Sequence, residues 1–110
     1  MLKKIKKILL DSGIFKANYI YIYSDFRIFF KLLKSNPEKE VKNFLNLFKN
    51  KGITCITPAF SYTTKGKFDV NITKSKVGFL SNFIIKNEKF ERSSHPIFSF
   101  VAIGRNRKLL

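Results

Sequence analysis

Three short runs, residues 19–23, 53–57 and 98–103, carry no charged side chain and are rich in β-branched and aromatic residues, while helical periodicity fills much of the chain between them. A run that is apolar on both of its faces reads as a strand inside a covered sheet. Strands alternating with helices restrict the chain to the α/β class, and predict a mostly parallel sheet of about three strands with flanking helices. The helix signals are specific. Ser35-Asn36-Pro37-Glu38 supplies a capping side chain, a proline and an acid in the first turn. Val41, Phe44, Leu45 and Phe48 then form one apolar face and Gly52 stops it, which predicts a helix over 36–50. Leu2, Ile5, Ile8 and Leu9 recur at helical spacing before Gly13, with Lys3, Lys4, Lys6 and Lys7 mostly opposite, so residues 2–10 read as a helix packed on the domain rather than lying on a membrane. Ser75 is placed as the cap of a helix carrying Val77, Leu80, Phe83 and Ile84 to about Asn87, and residues 26–33 read as a short helix. Residues 58–72, with Gly66, Asp69, Asn71 and several threonines, read as a long loop, and loops of that length in a compact domain are usually functional.

The chain has 110 residues, enough for one domain with a modest core, and 45% hydrophobic content with thirteen phenylalanines excludes a disordered tail. Its single cysteine, Cys55, rules out an intramolecular disulfide framework and fits a reducing, cytoplasmic setting, with the core as its default place. No apolar run approaches the roughly 18 residues of a membrane span. Lysines and Asp11 interrupt the N-terminal stretch, unlike a secretory signal. The formal charge of +15 raises nucleic-acid binding, but the charge is spread along the chain and only Arg27, Arg92, Arg105 and Arg107 are arginines, so most lysines read as solvated surface. A positive field of that size still attracts a polyanionic small molecule.

Residues 92–99, Arg-Ser-Ser-His-Pro-Ile-Phe-Ser, gather a guanidinium, three hydroxyls and the only histidine around a proline, directly before the third strand. Pro96 fixes its own backbone and pushes His95 towards an extended conformation, so the turn is stiff. Arg92 and the hydroxyls suit a phosphate or carboxylate, and equally suit a turn that satisfies its own backbone. One histidine and one cysteine complete neither a nucleophile–base–acid triad nor a metal site, and no metal is expected.

Upstream of that turn stand Thr57-Pro58-Ala59-Phe60, Phe68-Asp69 and Ser75-Lys76-Val77-Gly78-Phe79-Leu80, and downstream stand Ala102 and Gly104. In that order and spacing, residues 53–104 resemble the aminoglycoside 3-N-acetyltransferase family, whose pattern reads T-P-x-F, F-D, S-x-x-G-x-L, R-S-x-H-P-x-x-S and A-x-G. The resemblance implies transfer of an acetyl group from acetyl-coenzyme A to an amino group of an aminoglycoside or amino sugar, with no metal. It implies cofactor-side roles for Ser24, Ser75, Val77, Arg92, Ser93, His95 and Ser99, and a substrate-loop role for Asp69. His95 is then a positioning or cofactor-contact residue rather than the base. Tyr23 stands where the family has histidine, and Asp25 replaces a small hydroxyl, which puts a carboxylate where phosphates are expected. The family's chains are about twice as long, so residues 1–110 are expected to form a single partial domain, the N-terminal, cofactor-side half of an incomplete fold. The catalytic histidine and its acidic partner are expected beyond residue 110, in a missing C-terminal half, leaving this chain a truncated member that is weak or inactive alone. The alternatives are a non-catalytic remnant and a small basic nucleic-acid-binding domain.

Overall fold

The computed structural model describes residues 2–24 and 36–109. In chain order the elements are α1 (Leu2–Ser12), a 3₁₀ turn (Ile14–Lys16), β1 (Tyr19–Tyr21), α2 (Pro37–Lys49), β2 (Thr54–Pro58), α3 (Phe79–Asn87), β3 (Glu91–Arg92), β4 (Phe100–Ile103) and a final 3₁₀ turn (Arg107–Leu109). The expected helix at 26–33, the Ser35 capping position, Arg27 and Asp25 lie outside the described residues. No helix among those described is long and apolar enough to cross a membrane.

The α/β class and the flanking helices are as the sequence predicts, but the sheet is mixed rather than mostly parallel and has four strands, in the order β1-β2-β4-β3. Only β1 and β2 run parallel, with Ile20 opposite Cys55. β4 runs antiparallel to β2, placing Cys55 opposite Ile103 and Pro58 opposite Phe100, and β3 runs antiparallel to β4. The physical reason is the turn at 93–99. It is the connection of a hairpin, so it reverses the chain between the two-residue β3 and β4. A strand of two residues has no periodicity to read, and without it the third predicted strand looked like the end of another parallel crossover.

The caps act where the sequence places them in α2. Asn36 Oδ1 accepts from the backbone N–H of Glu38 at 2.9 Å and of Lys39 at 3.5 Å, with Pro37 in the first turn. The helix closes through Gly52, at φ 71°, and Ile53 N–H reaches back to the Phe48 carbonyl at 3.1 Å, which delivers the chain directly into β2. One sheet face presents Ile20, Cys55, Val101 and Ile103 to Val41, Leu45 and Phe48 of α2 and to Leu80, Phe83 and Ile84 of α3, all buried together. Burying each such aliphatic or aromatic side chain is worth about 1.5–3 kcal/mol, so this face holds the layers together. α1 adds Leu9 to that cluster, while its four lysines, Ile8 and Leu10 are exposed. On the other face, Tyr19 and Tyr21 are exposed and Tyr21 approaches Phe100, centroid to centroid, at 5.8 Å.

Candidate functional site

The loop 59–78 leaves the carboxyl end of β2, the hairpin turn 93–99 sits at that same end, and β1 delivers Tyr23 and Ser24 there. Ligand crevices in open α/β sheets lie outside the carboxyl ends of strands. The centre of this end is Arg92, buried at 6% exposure. Its Nε donates to Ser99 Oγ at 3.0 Å, Nη2 donates to the Ala59 carbonyl at 3.0 Å, and Nη1 donates to the Thr73 carbonyl. Its Cζ stands 4.8 Å from the centroid of the Phe68 ring, a cation–π contact. Ser99, fully buried, also donates to the Ala59 carbonyl at 2.8 Å. One side chain therefore ties the exit of β2, the middle of the loop and the start of β4. Burial draws the Arg92 guanidinium below its ordinary pKa, but it remains the cation.

Asp69 prepares one of those acceptors. Its Oδ1 accepts from Asn71 N–H at 2.8 Å, its carbonyl accepts from Thr73 N–H at 2.9 Å, and its own N–H donates to Thr73 Oγ1 at 2.7 Å. The resulting turn presents the Thr73 carbonyl to Arg92. Ser75 does not cap α3 as the sequence suggested, because Gly78, at φ 129°, holds the cap position. Instead Ser75 Oγ accepts from Val77 N–H at 3.1 Å, and its backbone N–H and carbonyl pair with the Asn82 amide, both at 2.8 Å. The N–H groups of Ser75 and Val77 are thus spent on the protein. The helix starts four residues later because this side-chain-bonded turn competes with its first turn.

In the hairpin, Ser93 Oγ accepts from Phe100 N–H at 2.8 Å and Ser93 N–H donates to the Phe100 carbonyl at 2.9 Å. His95 is exposed, stacked on Phe98 at 5.7 Å, and its Nδ1 accepts from the N–H groups of Ile97 at 3.2 Å and Phe98 at 3.0 Å. With Nδ1 accepting, the neutral ring carries its proton on Nε2 and offers a donor there. The loop lies alongside: Ser61 Oγ and Thr63 N–H both donate to the Pro96 carbonyl, at 2.8 and 3.0 Å. Lys76 N–H reaches the Phe60 carbonyl at 2.8 Å and closes the loop.

Hydrogen bonds thus join Arg92, Ser99 and the Asp69 turn, while Ser93 and His95 bond within the adjoining hairpin and Ser75 and Val77 stand at the border. Ser24 is exposed at the end of β1, beside Tyr23, whose ring stacks on Tyr21 at 6.4 Å. Partial desolvation, then the neighbouring Tyr23, raises the Tyr21 phenol above its ordinary value. The loop also walls a cavity of about 350 Å³ lined by Ser61, Thr63, Thr64, Thr73 and the lysines 65, 67, 74 and 76. Hydroxyls and ammonium groups around one hollow suit a polyanion. The sequence alone reads most of the lysines as solvated surface and does not single these out. The signal was there in Thr63-Thr64-Lys65-Gly66-Lys67 followed by Lys74 and Lys76, but only the fold back onto Pro96 turns two lysine pairs into one wall.

The family model of aminoglycoside 3-N-acetyltransferase matches residues 49–110. Among solved structures, the YokD protein from Bacillus subtilis superposes with a TM-score of 0.74 at 16% identity over 96% of this chain and 50% of its own. The apoenzyme of the aminoglycoside acetyltransferase AAC(3)-IVa superposes with a TM-score of 0.69 at 20% identity over 94% of this chain and 41% of its own. At these identities the likeness is one of fold, and the chain spans half or less of the length of either. A search of curated protein sequences finds no match.

Proposed function

The chain belongs to the aminoglycoside 3-N-acetyltransferase family, and from that membership we propose that it supplies the acetyl-donor side of an N-acetyltransferase acting on an amino group of an aminoglycoside or amino sugar. We read residues 1–110 as one partial domain of a cytoplasmic enzyme, whose acceptor side comes from polypeptide corresponding to the rest of the relatives' length. The observation that carries this reading is the cavity of Thr63, Lys65, Lys67, Lys74 and Lys76 standing beside the His95–Pro96 turn. Acetyl-coenzyme A, the co-substrate implied, would supply the acetyl group of its thioester. Its phosphates are matched by the hydroxyl and ammonium groups of that cavity, and Ser24 and Ser93 border the same end of the sheet.

The roles within the chain follow from the bonds. Arg92 and Ser99 act through the loop, because both are buried and their polar atoms are engaged by Ala59 and Thr73. Asp69 shapes the turn under Arg92 and, being exposed, is the acid available to a cationic acceptor. His95 offers a proton from Nε2 rather than a lone pair at Nδ1, which suits stabilising an oxygen and not deprotonating an amine. A neutral amine is needed to attack a thioester, so the base belongs to the acceptor side.

Calorimetry with coenzyme A and release of coenzyme A with aminoglycosides test this. Expected are weak, saturable binding that falls about tenfold in a Lys65→Ala, Lys67→Ala variant and no turnover by the chain alone. Ordinary enzymatic turnover abolished by His95→Ala would overturn the assignment of the base, and binding indifferent to the two lysines would overturn the donor site.

A further inference from the structure

At the opposite end of the sheet, where β2 begins and β4 ends, Glu88 holds a buried carboxylate that the site above does not use. Its side chain is 4% exposed. Oε2 accepts from Lys42 Nζ at 2.8 Å and from Lys49 Nζ at 3.4 Å, which ties the end of α3 to α2. Oε1 is buried and has no hydrogen-bond partner among the described residues. A buried carboxyl oxygen without a hydrogen-bond partner is unusual inside a protein and calls for one. Glu88 also lines a cavity of about 570 Å³ together with Lys49, Lys89, Arg105, Arg107 and Gly104. That is the size of a small-ligand site. Arg105 lies across Gly52, 3.9 Å from where a side chain there would begin, so the glycine lets the guanidinium stay over the cavity.

We infer that this cavity binds a small phosphomonoester that also carries a hydroxyl or amino group, as a sugar phosphate or a nucleoside monophosphate does. The rim offers four cations, two of them guanidinium groups that pair with phosphate in a planar fork. Behind them, Oε1 of the one carboxylate lacks a donor, so a bare anion fills only half of the site. A hydroxyl or amino group held beside the phosphate reaches Glu88 and supplies that donor. Lys49 is the side chain that yields, because its bond to Glu88 is the longer of the two and it, unlike Lys42, lines the cavity. An anion at the rim draws its ammonium outward and opens the way to Oε1.

The test is calorimetric titration of the full chain with inorganic phosphate, glucose 6-phosphate and adenosine 5′-monophosphate. At least one of the two organic esters is expected to bind tenfold or more tighter than phosphate, and which of them does so identifies the ligand type. Lys89→Ala and Arg105→Ala, both at exposed positions, should each weaken that binding fivefold or more, whereas Lys65→Ala with Lys67→Ala at the other end should leave it unchanged. Glu88→Gln keeps an oxygen for Lys42 and turns an amide N–H₂ towards the cavity, so it should reduce the preference for the ester to less than threefold while anion binding persists. Equal affinity for all three compounds, or equal losses from both pairs of substitutions, would show only attraction to a basic surface and overturn the site. If Glu88→Gln fails to fold, the rim substitutions and the ester-to-phosphate ratio still decide.

Discussion

Replacing Arg92 with alanine distinguishes a residue that holds the loop from one that holds a ligand. In the fold, Nε and Nη2 make buried bonds to Ser99 Oγ and the Ala59 carbonyl, and Nη1 makes a partly buried bond to the Thr73 carbonyl. A hydrogen bond to a charged group contributes about 1.5–3 kcal/mol. Two of them are sealed from water, while the Thr73 carbonyl regains water when the side chain goes. Ser99 continues to satisfy the Ala59 carbonyl, and alanine no longer carries the cost of burying a cation. The net destabilisation should therefore be about 2–4 kcal/mol, below the sum of the bonds. Urea denaturation of Arg92→Ala against the parent chain measures it, and limited proteolysis should show new cutting between residues 60 and 74. Arg92→Lys should recover less than half, since one ammonium cannot span acceptors on three segments. Coenzyme A affinity should fall as well, in step with loop cutting. A variant within about 0.5 kcal/mol of the parent, with the loop intact and only ligand binding lost, would refute the clamp and return Arg92 to direct anion contact.

Gly104→Ala should destabilise by about 1–3 kcal/mol in the same denaturation assay, because a Cβ there would lie 2.7 Å from the Ile53 carbonyl oxygen at φ 105°; an unchanged midpoint would refute it. Asn36→Ala should cost about 1 kcal/mol through the lost bonds to Glu38 and Lys39 N–H, seen as a lower Tm with an unchanged fold by circular dichroism. Burial, partly offset by Lys49, pushes the Cys55 thiol from 9.0 up to about 12. The unfolded chain therefore loses that proton first, and stability is unaffected at pH 7 but falls as pH rises from about 9 towards 12. Between pH 8 and pH 10 the parent should lose about 1 kcal/mol more than Cys55→Ala; parallel pH curves for the two would count against a sealed thiol.

What the sequence discloses here follows the range of the interactions. The Asn36 cap, the Gly13 and Gly52 stops and the apolar face of α2 are local, acting within a turn or two of helix, and a linear reading finds them. The direction of β4 is not local. It depends on a hairpin whose first strand is two residues long and whose turn is fixed by His95 Nδ1 accepting from two backbone N–H groups. The candidate site shows the same division. The separate fragments at 57–60, 68–69, 75–80, 92–99 and 102–104 were each too short to interpret alone. Folded, three of them meet at one guanidinium: Ala59 and Ser99 bond it, Phe68 lies under it, and the Asp69 turn offers it Thr73. Ser75 borders that unit, and Gly104 lets the chain leaving β4 lie hard against Ile53. The spacing of those three fragments is thus a record of which segments Arg92 must reach. The lysines of the neighbouring cavity carry no such record, since an ammonium at the end of a flexible stem needs no fixed partner. That is why the scaffold of the site was legible as a motif, while the groups most suited to meet a polyanion looked like ordinary surface.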